Sequence, residues 1–465
     1  MKYEAVIGLE VHVELKTNTK LFCGCRNEFG KKPNTLVCPV CAGMPGTLPR
    51  LNKEAVNLAI KAGIGLNCKI NKFSRFDRKN YYYPDLPKGY QTTQYEMPLC
   101  TDGYIDIGGR KIGIERIHLE EDAGKLIHEE DKTFVDFNRS GVPLIEIVSR
   151  PDIRSGEEAA LYLKKLRGIL LFTGVSDCKM NEGSMRVDVN VSVRPKGLSF
   201  FGAKTEIKNI NSFQYTQEAI GYEINRHIEL YENGKTPENE TRRYDEKSKK
   251  TYTMRAKEDS SLYMYLPDTE LVPLDISEEE IDEIRKKMPL LPEEREKMYV
   301  KEHGLSDFDC ENILQEVHFA EYFEEAAKLS KDAKNSANLL ITQIFSLLES
   351  DKVIKIKPLR LAEVSNLMTD EVINSSTAKK LLEKLWEEDF DVENYVKENK
   401  LFQINEKDVL SRYIDEAMEE NQKIVDDYRK GKKKALKALT GIVMAKTRGR
   451  ANPRLLNTLL NEKLG

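Results

Sequence analysis

The stretch VIGLEVHVEL, Val6 to Leu15, decides how the first half of the chain is read. From Ile7 onward every odd position is aliphatic: Ile7, Leu9, Val11, Val13 and Leu15. The even positions are Gly8, Glu10, His12 and Glu14. A period of two marks a β-strand, because successive side chains leave opposite faces of the pleat. One face of this strand is therefore core. The other carries Glu10-x-His12-x-Glu14, which is either the solvated side of an ordinary antiparallel sheet or the wall of a reaction site.

Other runs extend the pattern. In SMRVDVNVSVR (184–194), Val187, Val189, Val191 and Val193 form one side, and Arg186, Asp188, Asn190, Ser192 and Arg194 the other. In AKTEIKNINSF (203–213), Glu206 and Lys208 share a side. YIDIGGRKIGIERIHLE (104–120) reads as a hairpin turning at Gly108-Gly109. PLIEIVS (143–149) differs, since Glu146 sits inside Leu144, Ile145, Ile147 and Val148. A carboxylate within an apolar run is costly to bury unless it is paired or metal-bound, and such groups gather at sites. RIHLEEDAGKLIH (116–128) adds Glu120, Glu121 and Asp122 at a strand end. Alternation alone leaves Glu120 and Glu121 open as the one sharing a face with the other carboxylates.

Oxygen donors with one imidazole suit Mg²⁺ or Mn²⁺ better than Zn²⁺. Such a metal with arginines and lysines nearby is the usual equipment of phosphoryl transfer. The sequence contains neither a G-x-x-x-x-G-K-[ST] loop nor a G-x-G-x-x-G after a strand. A bound nucleotide would therefore lie on a sheet surface.

Composition sets the frame. The chain has 465 residues, 40% hydrophobic and 32% charged, enough for two to four globular domains. The net charge of −4 excludes a global nucleic-acid-binding field, so any such surface is local. Glu4, Glu10, His12 and Glu14 interrupt any signal-peptide core, and no run approaches the ~20 apolar residues of a membrane helix. A cytoplasmic location with reduced thiols is expected. Four of the eight cysteines, Cys23, Cys25, Cys38 and Cys41, fall in CGCRNEFGKKPNTLVCPVC. In a reducing compartment, two close pairs of this kind read as a structural four-thiolate Zn²⁺ knuckle with no open position for substrate.

SRFDRKNYYYPDLPKGYQTTQ (74–94) interleaves Arg75, Arg78, Lys79 and Lys88 with Phe76, Tyr81, Tyr82, Tyr83 and Tyr90, a mixture that holds phosphates and stacks bases. After Asp275 the periodicity becomes helical, opening with the capping pattern of SEEEIDEIRKKMP at 277–289. From Arg429 to Asn461 there are ten Lys/Arg and no acidic residue, a basic face on a short helical module. The expected fold class is α+β, in three parts. Residues 1–290 form an antiparallel-sheet-rich domain with the knuckle, 291–404 an all-α domain, and 405–465 a basic helical tail with a local nucleic-acid-binding surface.

Six blocks carry a resemblance: IGLEVHVEL (7–15), FDRKNYYYPDLPKGYQ (76–91), HLEEDAGK (118–125), NRSGVPLIEIVSRPDIRS (138–155), SMRVDVNVSVR (184–194) and TEIKNINSF (205–213). Together with GIVMAKTRGRANPRLLNTLL (441–460), they resemble the B subunits of aspartyl/glutamyl-tRNA amidotransferases, in order and over nearly the whole chain. The resemblance implies a cradle similar to the catalytic domain of glutamine synthetase and guanido kinases. It implies an ATP- and Mg²⁺-dependent ligase forming a C–N bond, working with an amidase A subunit and a small C subunit. The side-chain carboxylate of Glu or Asp mischarged on tRNA is phosphorylated, and ammonia then displaces the phosphate.

The implied magnesium shell is Glu10, His12, Glu121 and Glu146, with Glu121 preferred over Glu120 on the resemblance alone. Lys79 and Asp188 join them in catalysis. Arg78, Lys79, Arg186 and Lys208 line the nucleotide and acyl phosphate. Lys446, Arg448, Arg450 and Arg454 meet tRNA, the zinc supports the fold, and Glu14 is solvated. Two rivals remain. A glutamine-synthetase-like ligase for a free amino acid leaves the basic tail without purpose. A non-enzymatic zinc-stabilised tRNA adaptor leaves Glu146 unexplained.

Overall fold

Ile7, Leu9, Val11 and Val13 are sealed from solvent in the computed structural model, so the odd face of VIGLEVHVEL is core. The structure describes residues 2–256, 263–430, 432 and 434–464. It divides into two compact units, Met1–Pro292 and Glu293–Gly465.

The first unit is built on a nine-stranded sheet. Its strands in chain order are β1 (Tyr3–Glu14), β2 (Lys69–Ile70), β3 (Cys100–Asp106), β4 (Lys111–Glu121), β5 (Pro143–Ser149), β6 (Met185–Pro195), β7 (Thr205–Ile210), β8 (Glu240–Asp245) and β9 (Lys250–Ala256). Across the sheet they run β9-β8-β7-β6-β1-β5-β4-β3-β2. All neighbours are antiparallel except β7 and β8. That parallel pair needs a crossover, which helix α3 (Phe213–Glu232) provides. Ser212 starts this helix by accepting a hydrogen bond from the Tyr215 N–H. The β3–β4 hairpin turns on Gly108 and Gly109 at φ 84° and 89°, the left-handed pair of a type I′ turn.

Among the helices of this unit are α1 (Lys53–Gly65) and α2 (Gly156–Phe172), capped by Asn52 and Ser155. With α3 they cover one face of the sheet, where Ala59, Leu163, Leu166, Leu170, Ala219 and Ile220 join the strand aliphatics in one core. Burying each large aliphatic side chain contributes about 1.5–3 kcal/mol, which fixes which face turns inward. The other face is left for the polar residues. A three-stranded sheet of Met264–Pro267, Asp77–Asn80 and Tyr90–Thr93 carries the aromatic-cationic segment.

The second unit is helical. Its helices from Lys407 to Leu464 close around their own core of Leu410, Ile414, Leu439, Val443, Leu456 and Leu460. Asn374 ties them to the preceding helices: it accepts from the Thr377 N–H and donates to the carbonyls of Gly449 (2.6 Å) and Ala451 (3.2 Å). No described helix is long and apolar enough to cross a membrane.

Candidate functional site

Register assembles the polar face. His12 on β1 lies opposite Glu146 on β5, and Glu146 opposite His118 on β4. On the other side, His12 lies opposite Arg186 and Glu10 opposite Asp188, both on β6. Directly opposed side chains are about 5 Å apart at Cβ, so one lateral row crosses four strands. His12 Nε2 stands 3.4 Å from Glu146, 3.5 Å from Glu120 and 3.6 Å from Glu10. His118 Nε2 stands 3.5 Å from Glu146 and 3.7 Å from Glu120. Three carboxylates and two imidazoles thus converge.

The electrostatics follow from this crowding. Burial opposes charge on His12, but a hydrogen bond to Glu146 and the charges of Glu120 and Glu10 outweigh it and lift the imidazole to about 9. Burial likewise opposes charge on Glu146. There His118 and His12 prevail and hold the carboxyl far below the ordinary range. Burial and the Glu146 charge raise Glu10.

Grouped in this way, the carboxylates and imidazoles could hold a metal ion. Around an octahedral Mg²⁺ with oxygens at about 2.1 Å, adjacent ligands lie about 3 Å apart and opposite ones about 4.2 Å. The donor spacings here, 3.4 to 3.7 Å, are wider than adjacent octahedral positions and narrower than opposite ones. One donor atom from each of Glu10, His12 and Glu146, or of His118, Glu120 and Glu146, lies within 4.8 Å of the others.

Glu120, rather than the expected Glu121, joins this cluster. Ile117 and Leu119 are core, so His118 and Glu120 take the polar face and Glu121 the opposite one. Glu121 instead pairs with Lys88 and accepts from the Thr92 N–H at 2.9 Å. Arg78 lies in the same neighbourhood. It is bound by Asp268 and Glu270, each at 3.1 Å, and stacks on Tyr90. Arg78, Lys88 and Glu121 line a cavity of about 240 Å³ together with Lys20, Cys23 and Cys41. Lys79 is the next residue along its strand and so faces the other way, its ammonium over the rings of Tyr81 and Tyr263.

Arg186, Asp188 and Lys208 share the cluster's face. Arg186 donates to Asp122 at 2.8 Å. Lys208 bridges Asp188 at 3.1 Å and Glu206 at 3.4 Å. Glu14 is half-buried, not solvated as expected. Burial and the Asp122 charge push its carboxyl up to about 7. The residue that sequence reasoning passed over is His118, although Ile117-His118-Leu119-Glu120 repeats the alternation of Leu9-Glu10-Val11-His12.

The four cysteines Cys23, Cys25, Cys38 and Cys41 also converge. Cys41 Sγ lies 3.9 Å from Cys38 Sγ and 4.0 Å from Cys25 Sγ. A tetrahedral four-thiolate centre with Zn–S of about 2.3 Å has edges of about 3.8 Å. The quartet could hold a metal of that kind.

In the tail, Lys446 pairs with Glu420 at 2.7 Å, and Arg450 donates to the Lys400 carbonyl at 2.9 Å. Arg448 and Arg454 are exposed, with no acidic partner among the described residues. Lys433 of the basic run lies outside the described residues.

Residues 5–282 match the family described as the GatB/GatE catalytic domain, and residues 321–464 match the GatB domain. The B subunit of the aspartyl/glutamyl-tRNA(Asn/Gln) amidotransferase of Caldicellulosiruptor saccharolyticus is 50% identical over 477 residues, covering 100% of this chain and 99% of that protein. The B subunits of Clostridium botulinum, 48% identical over 473 residues, and of Thermodesulfovibrio yellowstonii, 50% identical over 469, are matched over 99% of their own lengths. Alike along its whole length and carrying both domains, the chain belongs to the family of aspartyl/glutamyl-tRNA(Asn/Gln) amidotransferase B subunits.

Proposed function

We propose that the row of Glu10, His12, Glu146, His118 and Glu120 is the magnesium centre of an ATP-dependent kinase acting on aminoacyl-tRNA. The substrate is the free side-chain carboxylate of Glu or Asp mischarged on tRNA. Its oxygen attacks the γ-phosphorus of ATP, the bond to the β-phosphate oxygen breaks, and ADP leaves. Ammonia then attacks the acyl-phosphate carbonyl, phosphate departs with the bonding electrons, the nitrogen gives up a proton, and the side chain becomes an amide. The phosphorylation is needed because a carboxylate oxygen is a poor leaving group.

A Mg²⁺ held there supplies positive charge against the phosphoryl oxygens. The chain's own cations supply the rest. Arg186 stands beside His12 in register, and Lys208 is held by Asp188 and Glu206 on the same face. Anchored cations stabilise developing phosphoryl charge without reorganising. Lys79 is placed near the acyl group from the facing small sheet, whereas Arg78 supports the wall lined by Glu121. The cradle's likeness to glutamine synthetase is part of this reading.

The partners are an amidase A subunit that releases ammonia from glutamine and a small C subunit. The cysteine quartet holds a structural Zn²⁺, and Arg448 and Arg454 meet tRNA phosphates. The carrying observation is the oxygen of Glu146 shared by histidines on the two strands that flank β5. Reconstitution with the A and C partners, ATP and Glu-tRNA or Asp-tRNA tests it, with ammonium replacing glutamine as nitrogen donor. His12→Ala should abolish amide formation from either donor while tRNA still binds. Full turnover by that variant would refute the centre.

A further inference from the structure

Lys20 is fully buried, and no carboxylate lies within ion-pair distance of its ammonium among the described residues. Its two partners are Cys41 Sγ at 3.5 Å and the Phe137 carbonyl at 3.0 Å. Lysines are almost never fully buried without a partner, and an uncompensated interior charge is strongly destabilising. The anion available to it is the sulfur cluster. A second donor converges on the same sulfur: the Cys38 N–H lies 3.3 Å from Cys41 Sγ. Four thiolates around Zn²⁺ leave two negative charges uncancelled, in a knuckle whose Cys41 is buried.

We propose that Lys20 is the resident counter-cation of the zinc-thiolate centre, a positioning residue that is not itself a ligand. This rests on the reading that the quartet holds zinc. The ammonium cancels one of the two surplus charges. Through Phe137 it also ties the knuckle to the segment leading into β5, the strand that carries Glu146. Gly141 marks how closely these parts meet. At φ 82° it holds a left-handed turn, and a Cβ there would come within 3.6 Å of Lys20, 3.7 Å of Cys41 and 3.9 Å of Glu121. The counter-charge therefore sits where the metal centre, the loop before β5 and the end of β4 abut.

The test uses the full-length reduced protein loaded with one zinc, and Lys20→Gln, Lys20→Met and Lys20→Arg. Gln keeps a donor for the Phe137 carbonyl but loses the charge, Met loses both, and Arg keeps the charge. Zinc transfer to a chromophoric chelator should be about 10-fold to 100-fold faster in the Gln and Met variants, the range seen when an outer-shell partner is lost, and within about threefold of wild type in Arg. Thermal unfolding supplies a second readout. Stripped of metal, the Gln variant should melt no lower than wild type, because the buried Lys20 side chain then has no metal-thiolate charge to offset. With zinc it should melt lower, so the gap between loaded and stripped protein narrows. A merely structural lysine would lower both melts alike. Zinc transfer at the wild-type rate in the Gln variant, or an unchanged melting gap, overturns the role of Lys20. Wild-type protein purified without zinc overturns the metal reading and this proposal together, a result distinguishable from the first.

Discussion

His12 and His118 share one oxygen: Oε2 of Glu146 lies 3.4 Å from the Nε2 of the first and 3.5 Å from that of the second. The two histidines lie 106 positions apart in the chain. Only the antiparallel placement of β5 between β1 and β4 brings them together. That explains the charge inside PLIEIVS. Glu146 projects from the polar face of a strand whose Ile145 and Ile147 are core, and two imidazoles offset the cost of burying it.

The division between Glu120 and Glu121 is directly testable. Glu120→Gln should raise the Mg²⁺ concentration needed for half-maximal amide formation by about tenfold or more, since a charged donor of the cluster is lost. Glu121→Gln should leave that concentration unchanged, because its carboxylate serves Lys88 and Thr92. Magnesium titrations of the two variants at saturating ATP check this. A larger shift in the Glu121 variant would reassign the cluster.

Removing the metal of the knuckle should act on stability first. Chelation of the reduced protein is expected to lower the melting temperature of the first unit, because binding free energy at a closed site is folding free energy. Cys41→Ser should do the same and retain less than half an equivalent of zinc. A metal-free protein that melts like the loaded one would rule out a structural centre.

His227 should make the first unit acid-sensitive. Its ring is fully buried, with Nε2 2.9 Å from Thr205 Oγ1 and 3.6 Å from Glu223. Burial, then the Arg226 charge, lowers it from 6.5 to about 4, with Glu223 and Glu240 opposing. The sign follows. Below pH 6.5 the unfolded chain binds a proton that the folded ring refuses. Stability is therefore at its full value above pH 6.5 and falls as the pH drops towards 4, by about 2 kcal/mol at pH 5. Denaturant midpoints of the wild type and His227→Gln at pH 7.5 and pH 5 measure this, with the smaller drop expected in the variant. Equal drops would show that this imidazole is not the titrating group.

In the tail, exposure separates residues that look equivalent in TRGRANPR. Replacing both Arg448 and Arg454 by Gln should weaken tRNA binding and flatten its dependence on log salt by about two, at about one phosphate contact each. Arg450→Gln should lower tail stability, since its guanidinium holds the Lys400 carbonyl. Fluorescence titrations across a salt series, with thermal melts, distinguish the two effects. An unchanged slope in the double variant would remove these arginines from the tRNA surface.

Local periodicity carries much of this in plain sight. VIGLEVHVEL shows its two faces because only one of them is buried, and Ser277 before Glu280 announces a capped helix that does form. Glu10, His12 and Glu146 are visible as a polar pair on an amphipathic strand and a carboxylate in an apolar run. Their convergence is not, because register between distant strands is set by the whole sheet. Alternation by itself does not choose between Glu120 and Glu121; the burial of Ile117 and Leu119 sets the phase that puts Glu120 beside His118. Lys20 carries no periodic signal at all, and only its burial beside Cys41 gives it meaning.

The most direct measurement isolates phosphorylation from amidation. The assembled complex is given γ-labelled ATP and Glu-tRNA with neither glutamine nor ammonium, and tRNA-dependent cleavage of ATP is followed. Glu146→Gln keeps the shape of the strand while removing the charge between His12 and His118. Loss of a charged group that acts on transition-state charge is expected to slow this step by about 100-fold to 1,000-fold, with tRNA affinity retained. Cleavage by Glu146→Gln at the wild-type rate would contradict the magnesium-centre assignment, because the shared carboxylate would then lie outside the chemistry.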